Sequence, residues 1–527
     1  MVYPRFAANS FWNYQATCEV VGARYSAAPL GLITVAALLP AEWDIRLINR
    51  NTEKLTSADL DWADMVMTGG MLPQQRDTMR IMDLAHGRLK PVVIGGPDAT
   101  SSPGMYEEAE FRVLGEVEEV MTEFVDAWLS GADHGTFTAK CFPDLTKSPV
   151  PRFDLLKLDH FMHVGVQFSR GCPFSCEFCN VIELNGRVPR MKTPEQMLRE
   201  LDALYDLGYR GHVDFVDDNM IGNRKVVKPF LVELARWLDR RGYPFEFSTE
   251  ASINIADDDD LLELMQQAKF FAVFVGIETP DTDTLVQTHK RQNTRRDLVE
   301  SIRRIYRHGI FVNAGFIIGF DAERDRVAEG MISFIEDSSI PVCMVGLLYA
   351  LPNTQLSRRL LSEGRLHIES ERMHADDDAD QCTSGLNYRT LRPRRDTLED
   401  YQRVLHSIYQ PEAYFSRVRH MVRELDLSKH KVRRPARKLL RDLRASARIQ
   451  WRSGVIDRKV RGPYWRALAD CILRNPRAVR AVFSMAALYL HLQRFAGFMD
   501  ERLAGQIRSL DDATPDSLPR MRASNPA

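Results

Sequence analysis

Short apolar runs alternate with longer segments of helical spacing through the first 130 residues. "WDIRLINR" (43–50), "ADMVMTGG" (63–70) and "KPVVIGGPDAT" (90–100) each end in polar or glycine-rich turns, and "LPQQRDTMRIMDLAHGR" between the last two has helical periodicity. Near-continuous apolar strands separated by helices predict a parallel sheet covered on both faces. In such sheets ligands bind beyond the carboxyl ends of the strands. Gly69, Gly70, Gly95 and Gly96 fall there. Paired glycines serve either tight turns or the close approach of a flat ligand or a phosphate to the backbone.

A proline-rich stretch, "CFPDLTKSPVPRFDLLKL", then reads as a wrapping linker. From Val164 a second series of strands begins: "HVGVQFSR" (163–170), "HVDFVDD" (212–218), "PFEFSTEAS" (244–252), "FAVFVGIE" (271–278), "FVNAGFIIGF" (311–320) and "VCMVGLLYA" (342–350). Helical patterns such as "PEQMLRELDALYDLG" and "RRDLVESIRRIYRHG" separate them, each closed by glycine. Six parallel strands predict an open or partial β/α barrel, whose chemistry sits at the carboxyl ends of the strands. Arg170, Asp217, Asp218, Glu250 and Glu278 stand at those ends. Beyond residue 385 the pattern turns helical and basic, with 16 Lys or Arg against 3 Asp over residues 431–480.

Composition narrows this picture. A chain of 527 residues exceeds one ordinary core. An apolar fraction of 44% and a charged fraction of 27% describe a soluble globular protein, and a net charge of −2 gives no overall pull toward nucleic acid. No signal-peptide order is legible, and the run "AVFSMAALYLHLQRFAGF", broken by His491 and Arg494, is too short to span a bilayer. The expected compartment is the cytoplasm, where cysteines serve metals or chemistry more often than disulfides.

Three of the eight cysteines, Cys172, Cys176 and Cys179, fall in "QFSRGCPFSCEFCN" directly after the first barrel strand. Four thiolates close an iron–sulfur cubane or a zinc site. With three, one iron stays open to an exogenous ligand, unless Cys141, Cys343 or Cys382 returns in space. A zinc site, or three ordinary buried thiols, are the plainer alternatives.

The spacing C-x3-C-x2-C, with an aromatic residue before the last cysteine, resembles the signature of the radical S-adenosylmethionine (SAM) enzymes. Residues 1–380 are similar to that superfamily's cobalamin-binding branch, through "MVMTGG", "KPVVIGGPDAT", "FRVLGEVEEV", "VDFVDDNMIGN", "VGIETP", "GFIIGF" and "LYALPNTQL". The resemblance implies an α/β chain with a Rossmann-like cobalamin domain (1–135) and a partial (β/α)6 radical SAM barrel (163–384); the proline-rich linker (136–162) lies between them, and the composition beyond adds a basic, mainly helical region (385–510) and a disordered tail (511–527). The resemblance also implies that Cys172, Cys176 and Cys179 hold a [4Fe–4S] cluster whose open iron binds SAM. Phe178, Asp218, Glu250 and Glu278 would contact SAM. Leu30, Gly31, Thr68, Gly69, Gly70, Gly95, Gly96, Gly115 and Glu116 would line a cobalamin site. The D-x-H-x-x-G segment that supplies a histidine below the cobalt in other cobalamin proteins is missing, since the first histidine is His86.

The common reaction of that branch is methyl transfer to an unreactive carbon, with oxidation, cyclisation or rearrangement as the alternatives. The layout distantly resembles the hopanoid C-methylases, which implies a small hydrophobic or lipid-like substrate. A one-electron reductant such as flavodoxin or ferredoxin is implied as a partner. The basic C-terminal region would then make a peripheral contact at the inner face of the membrane. An RNA-modifying methylthiotransferase would need further N-terminal cysteines, where this chain has only Cys18 and Cys141. An iron–sulfur electron carrier would close all four iron positions.

Overall fold

The structure, a computed structural model, describes residues 1–7, 9–367, 385–428 and 436–512. Cys382 and the tail beyond residue 512 lie outside the described residues. Two parallel sheets and a helical C-terminal region make up the chain.

In the N-terminal sheet β1 (Val2–Tyr3) pairs with β3 (Ile48–Asn49) and β4 (Val66–Gly69); β5 (Val92–Gly95), β6 (Phe111–Leu114) and β7 (Gly135–Thr138) follow, in the order β3-β1-β4-β5-β6-β7. Alternation puts Val66 and Ile94 into the core on one face, and Met67 and Val93 into the core on the other. Two cores of this kind are what continuous apolar strands require. The strand expected over 43–50 shrinks to Ile48–Asn49. It lies at the sheet edge, and its one neighbour, β1, ends before Pro4.

The second sheet is the partial barrel. Its order is β15 (Val342–Leu347), β14 (Phe311–Ile318), β13 (Phe270–Glu278), β12 (Phe245–Glu250), β11 (Gly211–Phe215), β8 (Phe161–Val166) and β2 (Tyr25–Ala27), all parallel. Six of these are the strands legible in the sequence. The seventh, β2, is three residues from the N-terminal part of the chain, too short to show a period. The expected first strand splits in two: β8 stops at Val166, and β9 (Ser169–Arg170) turns away to pair with β10 (Arg190–Met191). The loop between β9 and β10 carries all three cysteines of the motif.

The ends of the chain close the barrel's side. Helix Gln15–Val21 packs against the long helix Val479–Asp512, where the Thr17 hydroxyl donates to Ala487 O at 2.9 Å. Trp12 lies over Phe274 with ring centroids 5.7 Å apart, and Phe11 meets Phe495 edge-on at 5.7 Å. The apolar run of the C-terminus is therefore core, continuous with the barrel's. No helix among the described residues is long and apolar enough to cross a membrane.

His491 in this seam is buried, and its Nε2–H donates to Phe11 O at 2.9 Å. Burial pushes its imidazole down to about 4 from 6.5, outweighing the raising effect of the bond to Phe11, so it is neutral. Between those values the unfolded chain takes up a proton that the folded chain refuses. The melting temperature should therefore fall as pH drops from 6.5 to about 4. His491→Gln, which keeps an N–H donor without the titration, should shrink that fall. Identical pH profiles in calorimetry would contradict it.

Candidate active site

The cysteine loop is anchored from three sides. Gly171 has φ +94°, and a Cβ there would meet the carbonyls of Asn185, Gly186 and Val188 at 2.9–3.1 Å, so only glycine passes this point. Asp218, after β11, accepts from Gly171 N at 2.8 Å and Asn185 Nδ2 at 3.0 Å. Asp217 beside it is buried and accepts from Phe168 N at 3.1 Å and from Ser169 N and Oγ at 2.5 Å each. Burial lifts the Asp217 carboxyl to about 7 despite those donors. Both aspartates thus fasten the end of β11 to the start of the loop.

The third anchor comes from the other sheet. Glu116 and Glu118 follow β6, and both are nearly buried at their carboxylates, 6% and 2% exposed. Arg170 Nη1 reaches Glu116 at 2.7 Å, and its Nη2 reaches Glu118 at 2.8 Å. Arg190, opposite Arg170 across the β9–β10 pair, also binds Glu116, and donates to Pro143 O at 2.8 Å and Asn185 O at 3.0 Å. This four-residue clamp presses the carboxyl edge of the first sheet against the cysteine loop.

The thiols themselves meet amides and a cation. Asn219 Nδ2 donates to Cys172 Sγ at 3.9 Å and Gln292 Nε2 to Cys176 Sγ at 3.6 Å. The Gln292 Oε1 is buried and without a partner among the described residues. Burial pushes the Cys179 thiol up to about 12 and raises that of Cys172. Lys290 stands nearby, in an ion pair with Glu278 at 2.6 Å and 5.9 Å from the Phe178 ring centroid. Burial alone would lower its ammonium, but Glu278 and Cys176 hold it above its ordinary value.

No fourth described thiol joins the three. Cys141 is exposed and donates to Glu119 at 3.5 Å; Cys343 is buried near the start of β15, its thiol 3.4 Å from Ile340 O; Cys18 and Cys471 are buried in helices. No three His, Cys, Asp or Glu side chains among the described residues converge on a single metal ion. The donor set itself still suits a cluster: three thiols from one glycine-hinged loop, two amide N–H groups aimed at sulfur, and a buried cation that offsets thiolate charge.

The four residues expected at SAM have different surroundings. Phe178 is half-buried and packs on Phe320, ring centroids 5.5 Å apart. Asp218 is committed to the loop, and Glu278 to Lys290. Glu250, at the end of β12, makes no side-chain hydrogen bond or ion pair within the described residues. It is exposed by surface area, yet burial pushes its carboxyl up to about 8, helped by Asp214, Asp218 and Asp217. Both hold if Glu250 lines a hollow walled by protein, which water reaches but does not fill like bulk solvent.

The residues expected at cobalamin divide likewise. Thr68 is buried, and its hydroxyl donates to Val2 O at 2.9 Å. Gly69 and Gly95 answer to the sheet, because a Cβ on Gly69 would run into the Gly95 carbonyl and one on Gly95 would lie 2.9 Å from Val113 O. Gly70, Gly96 and Gly115 continue the same strand ends, Gly96 and Gly115 with positive φ. Leu30 packs against Gly165 on β8, and Gly31 beside it is exposed with open space at its Cβ. Glu116 belongs to the clamp. Sequence reading missed Arg190, Glu118, Asn219, Lys290 and Gln292; only Glu118 and Asn219 carried a visible signal, as polar residues just past the ends of β6 and β11.

A parallel sheet whose carboxyl edge faces a cysteine loop at the rim of a partial barrel defines the class of the protein. The family profile of the Radical SAM superfamily matches residues 166–335, and a profile described as a domain of unknown function matches residues 354–504. Over 96% of its length the chain is 40% identical to the uncharacterized methyltransferase sll1242 of Synechocystis sp., covering 94% of that protein. It is 35% identical to the hopanoid C-2 methylase of Rhodopseudomonas palustris over 79% of this chain and 77% of that one. The chain therefore belongs to the radical SAM superfamily, in the family that holds these two proteins. Its fold matches that of the cobalamin-dependent SAM radical enzyme OxsB with TM-score 0.58 at 16% identity, covering 93% of this chain and 82% of that one. It also matches the radical SAM methyltransferase TsrM of Kitasatospora setae with TM-score 0.54 at 15% identity, over 69% of this chain and 75% of that one.

Glu116→Ala would leave Arg190 and part of Arg170 buried without a counter-charge. Removing one partner of such a pair costs about 3–5 kcal/mol. Iron retained after anaerobic reconstitution should drop well below wild type, and the melting temperature should fall with it. Wild-type values of both would show that the clamp does not hold the loop.

Proposed function

We propose that this chain is a radical SAM methyltransferase that uses cobalamin to methylate an unactivated carbon of a small hydrophobic or lipid-like metabolite. One observation carries the reading: the carboxyl edges of both parallel sheets meet at the same cysteine loop, so groups held at the two edges face each other. When bound, the [4Fe–4S] cluster supplies the electron that cleaves SAM and cobalamin serves as methyl carrier. Kinship with the hopanoid C-2 methylase and sll1242 supports methyl transfer, and the fold shared with OxsB and TsrM supports the cobalamin.

The residues' work follows from their geometry. Cys172, Cys176 and Cys179 would ligate the cluster, with Asn219 and Gln292 donating to two of the sulfurs. Glu250, the carboxylate without a partner, would receive the ammonium of SAM. The Glu278–Lys290 pair presents a second fixed charge pattern on that rim. Gly70, Gly96 and Gly31 would give a flat corrin access to backbone, with Leu30 as the apolar floor. A reductant such as flavodoxin or ferredoxin would supply electrons from outside.

Reconstitution with iron, sulfide and hydroxocobalamin, then desalting, should leave both iron and cobalt on the chain. With SAM carrying a deuterated methyl group, a reductant and a polycyclic lipid, mass spectrometry should find the label on the lipid. Iron without cobalt overturns the cobalamin assignment, and SAM cleavage without labelled product overturns methyl transfer to that substrate class. For Glu250, SAM affinity of the reconstituted protein should rise from pH 7 through about 8, as the carboxyl ionises. Glu250→Gln should bind roughly ten-fold more weakly and lose that pH dependence, since a charge-assisted hydrogen bond is worth about 1.5–3 kcal/mol. A variant that keeps the pH slope would assign it to another group.

A further inference from the structure

Among the described residues, seven of the twenty large apolar side chains that stay exposed lie between Leu443 and Leu473. They are ordered. On helix Ala436–Trp451, Leu443, Ala447 and Trp451 are four residues apart and all exposed. On helix Arg461–Arg474, Trp465, Ala469, Ile472 and Leu473 repeat the spacing on its outer face. The second helix already buries a different face, with Tyr464, Ala467, Leu468 and Cys471 in the core. Its outward stripe is therefore additional to what folding needs. Between the helices, the Trp465 Nε1–H donates to Gly454 O at 2.9 Å, bringing the two stripes together at the turn that exposes Val455 and Ile456.

The charge along the two helices is mostly positive, although Arg452 and Arg466 are paired with Glu19 and Glu412. Residues 443–478 hold nine Lys or Arg against two Asp and no Glu. Asp470 is bound to Arg423 and Arg474, and Asp457 caps the backbone at Lys459 and Val460. Arg444, Arg458, Lys459, Arg461 and Arg477 are exposed with no carboxylate partner among the described residues.

We propose that the outward faces of these two helices dock the enzyme on the surface of an anionic lipid bilayer. Exposed tryptophans and aliphatic side chains bordered by unpaired arginines are the pattern of a helix lying in a membrane interface. With no helix able to span, the contact is peripheral. A second copy of the chain is the poorer occupant, since a two-fold contact through this patch would set like charges against each other. The inference stands apart from the methyl-transfer reading, because its test measures binding and not turnover.

The test is flotation of the full chain with vesicles of phosphatidylcholine alone or mixed with phosphatidylglycerol. The protein should float with the anionic vesicles, more weakly at high salt, and stay behind with the neutral ones. Neutralising two charges (Arg458→Gln, Arg461→Gln) should weaken partitioning roughly thirty-fold, at about 1 kcal/mol per basic residue. Trp451→Ser with Leu473→Ser should abolish it at every salt concentration while the melting temperature stays at the wild-type value, both side chains being exposed. Failure of the wild type to float with anionic vesicles overturns the proposal. So does equal flotation of the Trp451→Ser, Leu473→Ser variant, or sedimentation of the wild type as a dimer that those substitutions dissolve.

Discussion

Two buried glutamates and two arginines hold the active end of this molecule in place. Glu116 and Glu118 leave the first sheet where β6 ends, and Arg170 and Arg190 flank the cysteine loop on the second. Desolvating four charges is expensive, so such a cluster contributes little net stability compared with apolar packing. What it contributes is position. Each arginine plane accepts one arrangement of carboxylates, and the loop between them is carried into register with the glycine-lined edge of the other sheet. Loss of Glu116 leaves Arg190 without a carboxylate and Arg170 with Glu118 alone.

Around that clamp the chain closes the barrel with its own ends. The partial barrel presents an open flank between β2 and β15, and apolar strands cannot leave an interior open to water. The segment of Phe11, Trp12 and Tyr14 fills the gap from one side and helix Val479–Asp512 from the other, with His491 neutral between them. The helical region beyond residue 385 is thus part of the barrel's core on its inner side. Its outer side is free to meet something else.

At the barrel rim, similar carboxylates have been given different tasks by their neighbours. Asp217 and Asp218 face backbone N–H groups of the cysteine loop and are spent on them. Glu278 faces Lys290. Glu250 has no such partner, and burial together with the neighbouring acids raises its carboxyl and leaves it as the group most in need of a cation. Position on a strand end made all of them candidates; the partner within hydrogen-bond reach decided which is structural.

The sequence by itself determined the two β/α series, the six long barrel strands, the helical C-terminus and the cysteine triad. These are local signals: a run of apolar residues, a helical period, a motif within eight residues. It also marked Glu250, Gly70 and Gly96 by their places after strands. What only the tertiary structure decided was which residues meet. Arg190 and Glu116 are 74 positions apart, and β2 joins the barrel across more than 130 residues of intervening chain. Gly69 and Gly95 are glycines because two strands pass close, and Thr68 is occupied by β1. No window along the chain carries such facts, because each is a property of two segments whose separation in sequence places no constraint on their distance in space.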